Sequence, residues 1–334
     1  MSLAGALSPK NFQVYFMTES NAGTSVLASS GMHALDVDSV GFPSLNVNQS
    51  TDIRTSAVRL FQQSDYFSEN TQRVTEFSVS GVLHNDAYYG GIMGNVMNDT
   101  STPYAVVSNS FSPYSAIYGT DSPSTTGTAS TSYKTMTVVL KAPDHTDGDS
   151  IVLRGCIVTN FSFSADAGTE GGRYRFSATF QTGKKPKLNE HATLAGATAY
   201  SGTDIALSDA TVKKINDTTV VMQSFGITID HPAVFSGTNS EGYETLGRGQ
   251  ELSVTVDATV KLDSATRGWV DTYDSGIIMG TNSFLLTNGT NYSTTIKNAV
   301  FTDVSYNEGD VMMLNVSMKA VANSSEDLIS IIRS

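Results

Sequence analysis

The chain has a single cysteine and only eight prolines in 334 residues, and charged residues make up just 16% of it. Cys156 has no second cysteine to pair with, which excludes a small secreted domain built on internal disulfides. No segment approaches the roughly 18 consecutive apolar residues of a membrane-spanning helix. The N-terminal residues contain no basic region followed by a long apolar run, so we expect no signal peptide there. These absences predict assembly in a reducing cytoplasm and no membrane partner.

Basic residues are also scarce. The sequence contains 20 Lys and Arg against 32 Asp and Glu, a formal net charge of −12. A protein wrapped by nucleic acid needs clustered basic side chains to neutralise phosphates, so that class is excluded. An acidic surface still lets nucleic acid pass without binding. The 28 glycines, the 39% hydrophobic content and the abundant Ser, Thr and Val favour strands joined by tight turns. The length fits about two domains.

One order of elements is clearest in the C-terminal part of the chain. Alternating apolar and polar residues predict strands, and an apolar stripe at helical spacing predicts a short helix. The order is strand, Gly-rich loop, strand, helix, strand and hairpin, at residues 225–230, 231–249, 251–260, 265–275, 284–286 and 295–321. Asp263 or Ser264 is expected to cap the helix and Gly276 to end it. The predicted apolar stripe consists of Ala265, Trp269 and Tyr273.

The N-terminal part repeats this order, which predicts a duplication. The corresponding segments are 45–48, 76–80, 85–97, 138–140 and 153–180. Glu76 matches Glu251, 175 residues on, whereas Leu153 matches Ile296, 143 residues on. The 32-residue difference predicts an insertion in the first copy, at about 98–135, which is rich in Ser, Thr, Tyr, Pro and Gly.

The repeat divides the chain into four parts. We predict an N-terminal arm over residues 1–40, with a possible strand at 11–16, and a first domain over 41–183. A linker follows over 184–218, and the second domain covers 219–334. The fold class is therefore mainly β, with two tandem domains that are each a β-sandwich or a partly closed barrel with one short α-helix.

Residues that carry chemistry are present but not arranged in a recognisable motif. The five histidines, none of which forms a helical i, i+4 ligand pair, are interpreted as ordinary surface or turn residues; they are His33, His84, His145, His191 and His231. Cys156 lies in an alternating β segment, which indicates a packed side chain rather than an activated thiol. No Gly-X-Ser-X-Gly elbow marks a nucleophile.

Three further groups are weighed as sites. The acidic segment 144–149 has carboxylates and a glycine that suit calcium, but it lacks the terminal Glu of a helix-loop-helix site, so we interpret it as a hairpin loop. Glu76 and Glu251, equivalent in the repeat, are interpreted as partners of Arg73 or Arg248 rather than as catalytic carboxylates. The lysines at 184–187 are interpreted as solvated. The sequence thus predicts no enzyme, no catalytic residue, no cofactor and no metal.

The two copies resemble the tail tube proteins of long-tailed bacteriophages and related viruses. The resemblance lies in residues 225–260, the helix with Trp269 and the hairpin 296–320, and in residues 42–48, 76–83 and 153–180 of the first copy. It implies a structural virion protein whose domains form six-fold rings that stack into a hollow tail tube. A duplicated chain would form trimers with pseudo-six-fold symmetry, other tail proteins would bind at the tube ends, and viral DNA would pass through the lumen without specific binding.

Other interpretations stay open at this point. A baseplate ring or distal tail protein has the same fold. A carbohydrate-binding or adhesin-like β-sandwich module would use the Tyr- and Asn-rich insertion for stacking and hydrogen bonding. A hydrolase would need a cleft that unites a histidine with a carboxylate or serine.

Overall fold

The computed structural model describes residues 12–19, 23, 32–51, 66–84, 89–97, 109–111, 135–141, 150–188, 197, 202–236, 245–248, 252–289, 292–309, 311–321 and 328–333. In these residues the protein is mainly β, as the sequence predicts, and two α-helices are present. The predicted acidic loop 144–149, Glu251 and most of the insertion 98–135 lie outside the described residues, as do His145 and His191.

The described strands number twenty. They are β1 (Gln13–Thr18), β2 (His33–Leu35), β3 (Val37–Thr51), β4 (Tyr66–Val82), β5 (Asn109–Phe111), β6 (Met136–Lys141), β7 (Ile151–Asp166), β8 (Arg175–Thr182), β9 (Lys187–Leu188), β10 (Val212–Ile215), β11 (Thr218–Thr219), β12 (Met222–Asp230), β13 (Ala233–Ser236), β14 (Thr245–Arg248), β15 (Ser253–Lys261), β16 (Phe284–Asn288), β17 (Tyr292–Ile296), β18 (Ala299–Asn307), β19 (Met313–Ala320) and β20 (Ser330–Arg333). The helices are α1 (Tyr89–Met97) and α2 (Trp269–Ser275).

The larger sheet has twelve strands and contains the same four-strand order twice. In the first half of the chain the order is β3-β4-β8-β7, and in the second half it is β12-β15-β19-β18. All of these pairs are antiparallel. Strand β7 pairs with β12, so the two groups of four form one continuous sheet of eight strands within a single chain.

The residue register of the two groups also agrees. Pairing runs through Asn160, Thr179, Ser78 and Gly41 in the first half, and through Asp303, Ser317, Asp257 and Gly226 in the second. This register corrects the match of Glu76 with Glu251 that the sequence suggested. Gln181 and Lys319 are equivalent, since each lies two residues after the equivalent pair Thr179 and Ser317, and their partners across the sheet are Glu76 and Thr255. Glu76 therefore corresponds to Thr255 and not to Glu251, since strands of period two also align when shifted by an even number of residues.

The strands beside each group follow one order as well. The pairing is β2-β1-β6-β7 in the first half and β11-β10-β16-β17 in the second. Strand β1 lies in the predicted arm 1–40 and β10 lies in the predicted linker 184–218, whose predicted end falls within β11. The hairpin predicted at 295–321 does not begin with one continuous strand, because Lys297 and Asn298 separate β17 from β18. In the first half β7 runs through this point, with Gly155 at a φ of 63°.

A second sheet of six strands, in the order β11-β10-β16-β17-β20-β5, covers part of the larger one. Aromatic side chains fill the space between them: Phe163 and Tyr174 of the first half contact Phe225 and Tyr292 with ring centroids 5.1–6.3 Å apart. The sheets pack as a sandwich and do not close into barrels, so the β-sandwich prediction holds and the partly closed barrel does not. Strand β5, from the insertion, pairs with β20 at the edge of this sheet.

Helix α2 shows which local signals the sequence contains. Asp263 Oδ1 accepts a hydrogen bond from the Ala265 N–H at 2.8 Å in the turn before the helix. The predicted cap is nevertheless wrong, because the helix begins at Trp269, and its N-cap Gly268 provides no side-chain hydrogen bond. Gly276 ends the helix at a φ of 62°. The predicted apolar stripe is wrong, because only Trp269 of the three residues is buried and Tyr273 is 39% exposed.

Candidate assembly interface

The pairing of β7 with β12 is the junction between the two halves of the chain. Its register runs from Ser224 opposite Asp166 to Asp230 opposite Asn160. Backbone bonds at its two ends show how β7 is oriented, since the Thr159 carbonyl accepts from the His231 N–H at 2.8 Å and the Ala167 N–H donates to the Gln223 carbonyl at 2.8 Å. Antiparallel geometry therefore directs the N–H and C=O of alternate residues, the odd-numbered ones from 159 to 167, towards β12.

The Arg248 guanidinium fastens the junction at one end. Arg248 ends β14, in the hairpin that connects β12 to β15, and its nitrogens donate to three backbone carbonyls. The acceptors are Val158 of β7 at 2.7 Å, His231 at 2.6 Å and Asn95 of helix α1 at 2.7 Å. The last of these carbonyls lies in the final turn of a helix, where a cation is stabilising. Arg248 thus ties the second half to a strand and a helix of the first.

His231 packs beside this arginine and is buried, with 5% of its surface exposed. Its Nδ1 lies 2.9 Å from the Val96 carbonyl of α1, which fits a neutral ring that donates from Nδ1. Burial, with a smaller contribution from the Arg248 charge, lowers the pKa of His231 to about 4. The imidazole is therefore neutral at pH 7 and acts in packing.

A second polar link joins the first half to the segment before β10. His84 is buried, and its Nε2 and Nδ1 lie 2.7 Å from Asp36 Oδ2 and 2.9 Å from Asp204 Oδ1. Arg173 Nε lies 2.9 Å from the other oxygen of Asp204. The interpretation of His84 and His231 as ordinary surface or turn residues is therefore wrong, because both are enclosed by segments distant in sequence.

Glu19 is a buried carboxylate that holds β1 in place. It accepts hydrogen bonds from the hydroxyls of Thr135 and Thr137 at 2.5 and 2.8 Å, and from the N–H groups of Gly23 and Gly155 at 2.5 and 2.8 Å. Four donors compensate for the loss of hydration of the carboxylate. These bonds attach the end of β1 to β6 and to the bend of β7.

In the described part of the chain, the two outer strands of the eight-stranded sheet lack a neighbouring strand on one side. Strand β3 pairs with β4, and β18 pairs with β19; the first residue of β18, Ala299, also forms a single bridge with Met279. Phe42 on β3 is 37% exposed and Tyr306 on β18 is 56% exposed. Phe163, which holds the place of Tyr306 in the first half, is 1% exposed. The aromatic side chain at this position of the repeat is thus buried where β7 pairs with β12 and exposed to solvent where β18 has no neighbouring strand.

One face of the eight-stranded sheet is open and lined by small polar side chains. A row of hydroxyls crosses five neighbouring strands in register, formed by Ser80, Ser177, Ser162, Thr228 and Thr255. Among the described side chains of this face on strands other than β3, the charged ones are the acidic Glu76, Asp166, Asp230, Asp257 and Asp303 and the basic Arg175, Lys261 and Lys319. The open face is mainly neutral and hydrogen-bonding, with a slight acidic excess.

The remaining candidate residues have structural roles. Cys156 is fully buried, and burial raises the pKa of its thiol, so the prediction of a packed side chain is confirmed. Glu76 accepts a hydrogen bond from Gln181 Nε2 at 2.7 Å.

A cleft of about 280 Å³ near the junction has Ser164, Asp166 and Arg173 in its lining but no histidine. The described residues contain no group of three His, Cys, Asp or Glu placed to hold a metal ion.

Neither described helix is long and apolar enough to cross a membrane. The candidate functional features are the free edges of the described sheet and the β7–β12 junction. Sequence reasoning missed the partners of Arg248, because backbone carbonyls have no sequence signature.

In the described residues the antiparallel sheet has a free strand at each end, and its internal junction pairs the counterparts of those two strands, an arrangement that allows copies of the chain to associate by strand pairing. The family model for phage tail tube proteins matches residues 11–320. The chain therefore belongs to the phage tail tube protein family, as the resemblance predicts. A search of curated proteins found no match.

Proposed function

We propose that the protein forms trimeric rings with pseudo-six-fold symmetry, which stack into the hollow tail tube that delivers the viral genome. Each half of the chain is one copy of a tail-tube domain. The protein is a non-enzymatic component of the virion tail, it assembles in the host cytoplasm, and other tail proteins bind at the tube ends. Membership of the tail tube family supports this role.

The observation that carries the proposal is the β7–β12 junction. It pairs a strand equivalent to β18 with a strand equivalent to β3, inside one chain. When the same register is applied between chains, β18 of one chain pairs with β3 of the next. Ser162 lies opposite Thr228 in the junction. Ser305 is the equivalent of Ser162, and Ser44 is the equivalent of Thr228, so Ser305 is expected opposite Ser44 of the neighbouring chain. Likewise Asn307 is expected opposite Gly41.

Ring closure would remove both free edges. Unpaired strands expose backbone N–H and C=O groups that promote uncontrolled association, and a closed ring satisfies them. Phe42 and Tyr306, exposed in the single chain, would become buried at the new pairing. A large exposed aromatic side chain on each edge is consistent with an interface that is incomplete in one chain.

The open face of the sheet would line the lumen. Hydroxyls and amides hydrogen-bond to water, and the small acidic excess weakly repels phosphates. No basic stripe crosses the described part of this face, so a duplex would lack the clustered cations that retain it. We expect the genome to pass through without specific binding.

The register is tested with a cysteine pair. Ser44→Cys combined with Ser305→Cys is expected to form disulfides between chains under mild oxidation, since opposite residues have Cβ atoms about 4.5–5.5 Å apart. The buried Cys156 stays unreactive. On non-reducing gels the product should stop at the trimer, because a closed ring has no free end.

The matched control combines Ser39→Cys with Ser305→Cys. In the proposed register position 39 lies about four residues along the strand from the position opposite Ser305, or about 13 Å away, so this pair should not cross-link. An open ladder of higher species, or equal cross-linking of both pairs, would refute ring closure in this register. Electron microscopy of the trimers should show stacked rings, whereas single rings that never stack would favour a baseplate ring or distal tail protein.

A further inference from the structure

The helices of the two halves have the same place relative to the sheet but different surroundings. Asn95 Oδ1 of α1 accepts from the Val158 N–H at 2.7 Å, and the Trp269 ring of α2 lies 5.6 Å from the Phe301 ring. Val158 and Phe301 are equivalent, because each directly precedes the residue where its strand shifts register. Both helices therefore lie over the same point of their strands.

Helix α1 is enclosed. Ile92, Met93 and Gly94 are consecutive and all buried, although successive helical residues point about 100° apart. Part of this enclosure comes from the second half, since Arg248 donates to the Asn95 carbonyl and His231 contacts the Val96 carbonyl. These two residues lie at the base of the β13–β14 ribbon, which connects the first two strands of their group.

Helix α2 is bare on its outer side. Trp269 is buried against the sheet, whereas Tyr273 is 39% exposed, and Ile277 and Ile278, just after the helix, are 60% and 55% exposed. We define these three exposed residues, Tyr273, Ile277 and Ile278, as the α2 patch. Three large apolar side chains at one exposed site mark a surface that a partner covers. In the first half the equivalent helix is covered by the unit that follows it.

We infer that the α2 patch is the docking surface for the β3–β4 ribbon of a second copy of the chain. The pairing of β3 with β4 continues outward from Asn48 opposite Glu69 to Thr51 opposite Tyr66. This extension holds the place of the β13–β14 ribbon, because each connects the first two strands of its group. The inference rests on the proposed ring, in which β3 of the next chain lies beside β18.

The test uses Ile277→Ser with Ile278→Ser in the full-length chain. Both side chains are exposed, so the melting temperature of the monomer should stay unchanged. The protein concentration at which half of the chains are in trimers should rise about tenfold or more, since two partly buried isoleucines are lost per interface. Val221→Ser removes an aliphatic side chain that is 63% exposed and precedes β12, and it should leave this concentration unchanged.

Hydrogen exchange gives an independent measurement. Backbone amides of residues 269–278 should exchange at least tenfold more slowly in wild-type trimers than in monomers. Trimers that cross-link through Ser44→Cys and Ser305→Cys but show no added protection, and no sensitivity to the isoleucine substitutions, would overturn the docking surface while leaving the ring intact. Absence of trimers in every variant would instead refute the proposed ring.

Discussion

Thr159 and Thr302 hold the same position in the two halves of the chain, and only one of them is buried. Each is the residue at which its strand shifts register against the neighbouring strand. Thr159 is 6% exposed and its carbonyl accepts from His231, whereas Thr302 is exposed on the free side of β18. The difference between equivalent residues locates the surface that a second chain is expected to cover.

Blocking the free edge should prevent rings without unfolding the chain. Tyr306 is equivalent to Phe163, whose N–H points towards β12, so the Tyr306 N–H points away from β19. Tyr306→Pro removes only this outward donor, and we expect a folded monomer that forms no trimer by native mass spectrometry. Ser305→Pro, one residue away, removes a bond to β19 and should destabilise the fold by about 1–3 kcal/mol, because an acceptor of β19 loses its donor. Normal trimers from Tyr306→Pro would contradict the proposed pairing.

Arg248 should be irreplaceable by lysine. Its planar fork reaches three carbonyls from separate segments, and a lysine cannot satisfy all of them in that geometry. Arg248→Lys is expected to lower the free energy of unfolding by about 2–4 kcal/mol, because buried acceptors lose their donors. Urea denaturation measures the change, and the exposed Arg267→Lys serves as control, with an expected effect within about 0.5 kcal/mol.

Acidification should destabilise the chain partly through His231. Its pKa is lowered to about 4 in the folded state, against about 6.5 when unfolded. Between these values the unfolded chain binds more protons, so stability is fully present above about pH 6.5 and falls as the pH drops towards 4. His231→Asn keeps a donor for the Val96 carbonyl but does not titrate. Relative to this variant, the wild type should lose about 1 kcal/mol per pH unit, and parallel pH profiles would disprove the assignment.

Glu19 should require its charge. All four of its hydrogen-bond partners are donors, and the amide of Glu19→Gln would place its own N–H groups against them. We expect a loss of about 2–4 kcal/mol in thermal or urea unfolding and faster proteolysis near β1. Glu170→Gln, at a half-exposed ion pair with Arg175, should cost less than about 1 kcal/mol. Equal effects of the two substitutions would argue against a structural role for the Glu19 charge.

The neutral open face should be convertible into a DNA-binding one. Ser162→Lys with Thr228→Lys adds two adjacent cations in the hydroxyl row. Rings of this variant should retain duplex DNA in a salt-dependent way, with a slope of roughly −0.9 per phosphate contacted, while wild-type rings release it. Filter binding across a salt series measures both. Salt-independent retention by wild-type rings would contradict passage without specific binding.

The sequence predicts features that depend on neighbouring residues. The end of α2 at Gly276 follows from the left-handed conformation that glycine allows, and the buried place of Cys156 follows from its alternating strand. It does not predict the partners of His84, because Asp36 and Asp204 lie 48 and 120 residues away and meet it only in the folded chain. It also misplaced the match of Glu76, since patterns of period two fit several registers.

The β7–β12 junction has a consequence for the kinetics of assembly. Every second contact of the proposed ring is made within one polypeptide, at an effective concentration far above that of free chains. Ring formation would then depend on roughly the third power of chain concentration, instead of the sixth power for separate domains. A ring of six identical domains must also repeat one head-to-tail interface six times. In the duplicated chain, the interface within the polypeptide and the interface between chains can differ in sequence while the lumen keeps its shape.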